Sequence, residues 1–346
     1  MPKIDHQVRA KDPKTQRERE REKMNDEYCE KIPCVKFCSE WVLGLEEEES
    51  EEWRNMSKKV REACERYGCF ILTYDDDKHF PKVLREDMFM GIKALFDLPK
   101  ETKLKHKSTK AYRSYNSDCP IIPLCQSFGI DDAPLFDTAH AFTNLMWPQG
   151  NPPFCETMKS TSSKMLELSF VILKMIVESY GLPKQYISHI EELKSSSNLR
   201  MMKYKVPDDI NKGCESALLP HTDKCTLTIL CQNEVQGLQV LTKTGKWIQL
   251  DIPFEGFVVL VGDTLQAWSN GRVDAATHRV MMSGEKERYS FGVFAMPKEE
   301  VKIEVPSEFV DENTYPLRYR PFIFGDYFNY FVSAPNLNAL DMFAAV

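Results

Sequence analysis

The chain has 346 residues, of which 42% are hydrophobic, so its composition allows a complete buried core. Its net charge is −7 and no basic stripe is interleaved with aromatic residues, which argues against a nucleic-acid-binding protein. The charged N-terminus lacks an apolar signal segment, the eleven cysteines form no CxxC pair, and no apolar run approaches the roughly 18 residues of a membrane span. We therefore expect a cytoplasmic protein with reduced thiols, a small-molecule partner, no nucleic-acid or membrane partner, and a monomeric state.

The N-terminal half is predicted to be mainly helical. Residues 1–30 mix both charge signs with few apolar residues, which is typical of a flexible tail. The stretch 112–142 has no clear period and contains several prolines, so we expect a long excursion that can cover a pocket. Short strands are predicted at 32–37 and 69–73, and amphipathic helices at 53–67, 80–98 and 154–180.

The C-terminal half is predicted to contain many short strands. Runs of β-branched and aromatic residues are separated by turn residues such as Asn270-Gly271, which favours a sandwich or a barrel, and the jelly roll is one closed form. After residue 301 the pattern loosens, and an aromatic helix within 321–331 could pack over the mouth of a barrel. The predicted strands lie at 199–207, 225–231, 237–241, 247–250, 257–261 and 289–294.

A histidine and an aspartate stand two residues apart at His221 and Asp223. On a strand, such residues face the same side, and a second imidazole, His278, follows 55 residues after Asp223. Two histidines and one carboxylate that leave other metal positions open form the ligand set of non-haem Fe(II) oxygenases. The remaining histidines have no partner at a ligand spacing, and we expect solvated or core roles for His6, His79, His106, His140 and His189.

Shortly after His278, Arg288 and Ser290 are again two residues apart. A guanidinium fork beside a hydroxyl suits a carboxylate, which the arginine can bind bidentately. Iron with open positions beside such an anchor is the arrangement that a 2-oxo-acid cosubstrate needs. His-x-Asp alone is a weak signal, but the ordered set of five residues is a strong one.

These motifs resemble the plant-type 2-oxoglutarate and Fe(II)-dependent dioxygenases of the isopenicillin-N-synthase-like superfamily, which include anthocyanidin synthase and the gibberellin oxidases. The resemblance covers residues 31–346. At a finer level it is closest to the clade that modifies glucosinolate side chains and to the related steroidal-alkaloid oxidases. The catalytic motifs are HTD at 221–223, GDTLQAWSNGR at 262–272, THRV at 277–280 and ERYS at 287–290; the finer match rests on WPQGNP at 147–152, HTDK at 221–224 and TKTGKW at 242–247.

The resemblance implies a mainly β fold with flanking helices around a double-stranded β-helix core of the jelly-roll, cupin-like type. It also implies four regions along the chain. These are a charged tail at 1–30, a mixed helical N-terminal region at 31–195, a jelly-roll catalytic core at 196–300, and a C-terminal segment at 301–346 whose aromatic helix covers the barrel mouth.

The implied cofactors are Fe(2+), 2-oxoglutarate and O2, with ascorbate as the reductant. His221, Asp223 and His278 would be the metal ligands and catalytic residues, and Arg288 and Ser290 would bind the far carboxylate of 2-oxoglutarate.

One departure from the family pattern affects the cosubstrate site. The family often has an Asn that lines the cosubstrate, and Met202 stands at that position here. Tyr204 keeps the family's second Tyr, and we expect its hydroxyl to contact 2-oxoglutarate.

The implied reaction is the oxidation, by default hydroxylation, of a bulky plant specialised metabolite such as a steroidal, terpenoid or alkaloid compound. It would be coupled to the conversion of 2-oxoglutarate and O2 into succinate and CO2. Two alternatives stay open: an oxidase of the same fold that does not use 2-oxoglutarate, as in the aminocyclopropane-carboxylate oxidases, and a non-catalytic protein that binds a small ligand. The residues expected on the substrate wall are Tyr115, Phe142, Phe294 and Phe322.

Overall fold

The structure is a computed structural model that describes residues 31–43, 50–207 and 213–346, and the tail predicted at 1–30 lies outside these ranges. Within them, no helix is both long and apolar enough to cross a bilayer. The helices are α1 (Ser39–Leu43), α2 (Glu51–Tyr67), α3 (Lys82–Asp97), α4 (Lys100–Lys103), α5 (Phe136–Met146), α6 (Pro152–Ser179), α7 (Tyr186–Leu193), α8 (Asp263–Trp268), α9 (Phe324–Ser333) and α10 (Ala339–Ala344). The strands are β1 (Cys34–Phe37), β2 (Cys69–Tyr74), β3 (Cys125–Asp131), β4 (Ser196–Tyr204), β5 (Glu215–His221), β6 (Leu227–Gln232), β7 (Leu238–Leu241), β8 (Trp247–Gln249), β9 (Phe257–Val261), β10 (His278–Met282), β11 (Arg288–Met296), β12 (Lys302–Ile303) and β13 (Phe322–Ile323).

Two sheets form the centre of the molecule. The larger has the strand order β1-β2-β9-β6-β11-β4-β3, and the smaller has the order β5-β10-β7-β8. Neighbouring strands in both are antiparallel except for the parallel pair β1 and β2. This sheet-rich architecture with flanking helices confirms the predicted double-stranded β-helix core.

Both faces of the larger sheet are buried, and alternate residues of its strands belong to two different apolar clusters, one on each face. On β4, Met202 and Tyr204 pack in the cluster between the two sheets, whereas Leu199 and Met201 pack in the cluster beneath the helices. Helix α6 packs on β6 and β11 and also contacts α2, α3 and α5. The site described below lies on the inner face, between the sheets.

Local signals fix the ends of the helices. The Ser50 side chain accepts the Trp53 backbone N–H at 3.1 Å, which caps the start of α2. Gly68 ends α2 with a φ of 65°, a left-handed conformation that costs glycine little, and its N–H donates to the Cys64 carbonyl at 3.0 Å. These caps explain why the predicted bounds of α2 lie close to the observed ones.

The predicted excursion at 112–142 contains regular structure. Its middle forms β3, which pairs with β4 from Cys125 opposite Tyr204 to Asp131 opposite Asn198, and its end begins helix α5. The strand was missed because the sequence CQSFGID alternates poorly and includes a glycine, so the strand depends on its pairing with β4 rather than on local propensity.

Candidate active site

Three potential metal ligands converge at the edge of the smaller sheet. His221 ends β5, His278 begins β10, and the two residues pair directly across the strands. Asp223 lies in the loop after β5 rather than on the strand, which differs from the prediction that one strand carries both ligands. Its Oδ1 atom lies 3.7 Å from His221 Nε2 and 3.9 Å from His278 Nε2, and one ligand atom from each residue falls within 4.8 Å of the others.

The hydrogen bonds of the two imidazoles select the tautomer that a metal ligand needs. Nδ1 of His221 lies 2.8 Å from the Leu219 carbonyl, and Nδ1 of His278 lies 2.9 Å from the Ala276 carbonyl. Because a carbonyl oxygen only accepts, each Nδ1 must donate, which leaves each Nε2 with a lone pair available to a metal ion. This donor set fits Fe(II), which takes two imidazoles and one carboxylate on one face.

The protonation states of Asp223 and His221 agree with this assignment. Burial raises the pKa of the Asp223 carboxyl, but the two imidazoles and a hydrogen bond from Thr228 outweigh burial, so the pKa lies below its ordinary value. Burial, together with the charge of His278, lowers the pKa of His221 to about 4. At neutral pH the site therefore holds a carboxylate beside a neutral imidazole.

Buried hydrogen bonds hold the Asp223 loop in place. The Thr228 hydroxyl donates to Asp223 Oδ2 at 2.7 Å, and the Asp263 N–H donates to the Asp223 carbonyl at 2.8 Å. The Asp263 carboxylate in turn accepts hydrogen bonds from Lys224 Nζ at 2.6 Å and from the hydroxyl of Tyr327 on α9. No local spacing rule links Asp263 to Lys224 and Tyr327, so sequence analysis does not reveal this set.

Arg288 and Ser290 lie on the inner face of β11, and Tyr204 stands opposite Arg288 on β4. Arg288 is fully buried, and its Nε and Nη2 atoms donate to Gln232 Oε1 at 3.2 and 2.8 Å. Its Nη1 lies 3.4 Å from Ser290 Oγ, and its Cζ lies 4.9 Å from the centre of the Tyr204 ring. The Tyr204 hydroxyl donates to the sulfur of Met202 at 3.4 Å.

No carboxylate of the described chain forms an ion pair with Arg288. Burial lowers the pKa of its guanidinium, because a charge removed from water without an anionic partner is destabilised. The neutral Gln232 side chain orients the guanidinium but does not neutralise it. The position thus suits an incoming carboxylate, and Gln232 is a site residue that sequence analysis missed.

A cavity of about 480 Å³ opens beside His221 and Asp223. Its volume lies in the range of small-molecule sites. Three positively charged side chains, Arg113, Arg200 and Lys224, also reach its wall. Much of the remaining wall is apolar, including Ile122, Leu218, Phe294, Phe324, Phe328 and Phe331.

Of the four aromatic residues expected on the substrate wall, Phe294 lines this cavity and the other three do not. Tyr115 and Phe142 pack on Phe128, with ring centroids 4.7 and 5.7 Å apart, and Phe322 packs on Tyr327 at 5.6 Å. Large aromatic residues fill cores as readily as pockets, and residue type alone does not separate the two roles.

Two regions of the chain match known protein families, and the chain resembles named relatives over most of its length. Residues 196–297 match the family model of the 2OG-Fe(II) oxygenase superfamily, and residues 32–119 match the model of the N-terminal region of non-haem dioxygenases in morphine synthesis. A protein of Arabidopsis thaliana named probable 2-oxoglutarate-dependent dioxygenase AOP1 is 38% identical over 286 residues, which span 82% of this chain and 91% of the relative. A second Arabidopsis thaliana relative, the 2-oxoglutarate-dependent dioxygenase AOP3, is 27% identical over 82% of this chain and 90% of its own length.

Two solved structures share the architecture. The rice dioxygenase for auxin oxidation superposes with a TM-score of 0.75 at 29% identity, covering 91% of this chain and 100% of that chain. The dioxygenase for auxin oxidation 1 of Arabidopsis thaliana, in a binary complex with 2-oxoglutarate, superposes with a TM-score of 0.71 at 26% identity, covering 83% of this chain and 100% of that chain.

Proposed function

Since this chain belongs to the 2OG-Fe(II) oxygenase superfamily and is a 2-oxoglutarate-dependent dioxygenase, we propose that it oxidises an apolar small molecule held in the cavity beside His221 and Asp223. The observation that carries this proposal is the convergence of two Nε2 atoms and one carboxylate oxygen at the edge of a cavity with an apolar wall. The alternatives of a non-catalytic binding protein and of an oxidase without 2-oxoglutarate are disfavoured by the family of the chain.

In this proposal His221, Asp223 and His278 hold Fe(II) through Nε2, Oδ1 and Nε2. The bound iron, with 2-oxoglutarate and O2, supplies the oxidising chemistry that yields succinate and CO2 and delivers an oxygen atom to the substrate. The Nδ1 hydrogen bonds to the Leu219 and Ala276 carbonyls orient the two imidazoles, and burial favours the neutral form of His221. The Thr228 hydroxyl donates to Oδ2 of Asp223, which leaves Oδ1 available to the metal.

Arg288 and Ser290 bind the far carboxylate of 2-oxoglutarate in the same proposal. The buried guanidinium gains the anion that it lacks among the described residues, and Gln232 keeps its plane fixed. Tyr204 packs against the guanidinium, and its hydroxyl is the proposed further contact to 2-oxoglutarate. Met202 replaces the amide contact of the family pattern with a sulfur that accepts from Tyr204.

The wall of the cavity supports a substrate with a bulky apolar skeleton, such as a steroidal, terpenoid or alkaloid compound, and hydroxylation is the proposed outcome. Phe294 on β11 and Phe328 and Phe331 on α9 provide aromatic surface on the wall. The similar rice and Arabidopsis structures are dioxygenases for auxin oxidation, so auxin is the first individual compound to test.

We propose that the regions expected from the sequence have distinct roles: residues 31–195 form a helical region that supports the core, residues 196–300 form the catalytic core, and residues 301–346 cover the mouth of the barrel. The position of α9 on the cavity wall supports the role of the last segment. The support is not separate from the core, since β1, β2 and β3 are strands of the larger sheet.

The test is succinate production by protein loaded anaerobically with Fe(II), then given O2, 2-oxoglutarate, ascorbate and a panel of terpenoid, steroidal and alkaloid compounds and auxin. We expect one compound class to raise the rate, and His221→Ala and His278→Ala to abolish it. His140→Ala, a change at a residue outside the metal site, should retain the rate. Turnover of the compound that is unaffected by omitting 2-oxoglutarate would refute the proposed cosubstrate role of Arg288.

A further inference from the structure

We infer that the substrate carries a carboxylate, and that Arg200 binds this group inside the cavity. The inference rests on the proposed function and narrows it from any apolar molecule to an apolar acid. Arg200 lies on β4 and reaches the same cavity as the proposed metal ligands His221 and Asp223.

The hydrogen-bonding capacity of Arg200 is largely unused. Its Nε atom is buried and has no acceptor in the described part of the chain. Its Nη2 lies 3.4 Å from Ser127 Oγ, a long contact for an N–H donor. The guanidinium otherwise lies near two rings, with Cζ 5.2 Å from the centre of Tyr112 and 5.9 Å from that of Phe294. Ring contacts leave the N–H edges of a guanidinium available to a planar acceptor.

Arg200 forms no ion pair among the described residues, unlike the other two cations of the wall, although its charge helps to lower the pKa of Asp223, a proposed metal ligand. Arg113 Nε lies 3.0 and 3.1 Å from the two carboxylate oxygens of Asp131, and Lys224 Nζ lies 2.6 Å from Asp263. Among the described residues, no carboxylate pairs with Arg200. A cation on a largely apolar wall gains most from an anion that enters with the ligand, because the surrounding dielectric is low.

The strand register keeps the guanidinium open to the cavity. Arg200 pairs with Gly129 on β3 and with Gly292 on β11, so the two residues directly opposite it carry no side chain. Gly129 instead admits the Tyr112 backbone, because a Cβ there would lie 1.8 Å from the Tyr112 carbonyl oxygen. The segment that carries Tyr112 can therefore bring its ring against Arg200.

The same register separates Arg200 from the proposed cosubstrate anchor. Arg288 stands opposite Tyr204, four residues along β4 from Arg200. At roughly 3.3 Å per residue, the two arginines start about 13 Å apart along the strands. One carboxylate is thus not expected to contact both guanidiniums. Arg288 would bind the far carboxylate of 2-oxoglutarate, and Arg200 would bind the carboxylate of the substrate.

The experiment compares carboxylic acids with their neutral carboxamides on shared skeletons: naphthalene-1-acetate, indole-3-acetate and a tricyclic diterpene acid, each with its amide. Binding is measured anaerobically by titration calorimetry on the full chain loaded with Mn(II) and 2-oxoglutarate, so no turnover is required. We expect at least one acid to bind tenfold or more tightly than its amide, as a charge-assisted bidentate contact provides. Arg200→Met should remove this preference, and Arg200→Lys should keep part of it.

Arg113→Met is the matched control, since it removes an arginine from the same wall whose charge Asp131 already neutralises; it should keep the preference. Equal binding of acids and amides across the panel, including no binding of any acid, would overturn the inference. A loss of 2-oxoglutarate affinity in Arg200→Met with the acid preference intact would also overturn it. A protein that prefers acids through Arg200 yet forms no succinate would instead contradict the proposed reaction alone.

Discussion

The hydroxyl of Thr228 provides a direct test of the proposed metal centre, because Thr228→Val removes one hydrogen bond to Asp223 and keeps the shape of the side chain. Thr228 is fully buried and donates to Asp223 Oδ2 at 2.7 Å. Without this donor, Oδ2 is left without its partner and the carboxylate can turn away from the two imidazoles. Partners of metal ligands typically contribute about 10- to 100-fold to metal affinity, so we expect the Kd for Mn(II) to rise by about that factor.

In free energy, this change corresponds to about 1.4 to 2.7 kcal/mol of metal binding. The stability of the metal-free protein should fall by about 1.5 to 3 kcal/mol, because a buried charged acceptor loses its donor. Mn(II) affinity is measured by calorimetry or by electron paramagnetic resonance of the free ion, and stability is measured by urea denaturation in the presence of a chelator. The expected signature is a loss of Mn(II) affinity that the control variant Thr226→Val does not share.

Thr226→Val is the matched control. Thr226 is equally buried, two residues away, but its hydroxyl donates to the Leu193 carbonyl at 2.6 Å. This variant should lose similar stability and keep its Mn(II) affinity. If Thr228→Val binds Mn(II) within twofold of the parent, or if both variants lose affinity equally, Thr228 does not orient Asp223 for a metal.

Three further changes test other parts of the structure. Arg288→Met should raise the half-saturating concentration of 2-oxoglutarate at least tenfold in a succinate assay, with Arg288→Lys in between, because the charge-assisted fork is lost. Burial lowers the pKa of His79 to about 4 from 6.5, so below pH 6.5 the unfolded chain binds a proton that the folded chain does not. The free energy of unfolding should therefore fall by up to about 3 kcal/mol between pH 6.5 and pH 4. Urea denaturation of His79→Gln over the same pH range should show a smaller fall. Gly129→Ala should cost about 2 kcal/mol or more in urea denaturation, since its Cβ would meet the Tyr112 carbonyl oxygen at 1.8 Å.

Each of these expectations has a contrary result. Unchanged saturation by 2-oxoglutarate in Arg288→Met would place the cosubstrate carboxylate elsewhere. The same pH dependence in His79→Gln and the parent would mean that other groups govern acid sensitivity. A Gly129→Ala variant of parental stability would show that the Tyr112 backbone moves aside at little cost.

The proposed site residues that sequence analysis could group are those that a short local pattern connects. Arg288 and Ser290 are two residues apart on β11, and the strand period directs both to one side. His221 and Asp223 have the same spacing, although Asp223 lies in the loop after β5. The structure brings His278 close to His221 and Asp223 through its direct pairing with His221. The bounds of β9 were predicted to the last residue because its continuous run of apolar, largely β-branched residues is a strong local signal.

The features that were missed depend on contacts between distant parts of the chain. Lys224, Asp263 and Tyr327 form one buried set, yet their positions follow no shared period. Arg200 reaches the cavity because glycines stand opposite it on two other strands, a fact of register rather than of composition. The three aromatic residues assigned to the substrate wall belong to the core, since hydrophobicity specifies burial but not which buried surface faces a cavity.

The division of the site between strands and helix α9 has an evolutionary consequence. The proposed iron ligands and cosubstrate anchor lie on the sheets or in the loop that leaves β5, whereas Phe328 and Phe331 belong to α9. Tyr327 fastens α9 to the Asp263 carboxylate, and Phe331 also contacts this set, since Lys224 Nζ lies 4.5 Å from the centre of its ring. Point changes at 328 can therefore reshape the range of accepted molecules while the proposed iron ligands stay in place, so that copies of such a gene can diverge in substrate through a single short helix.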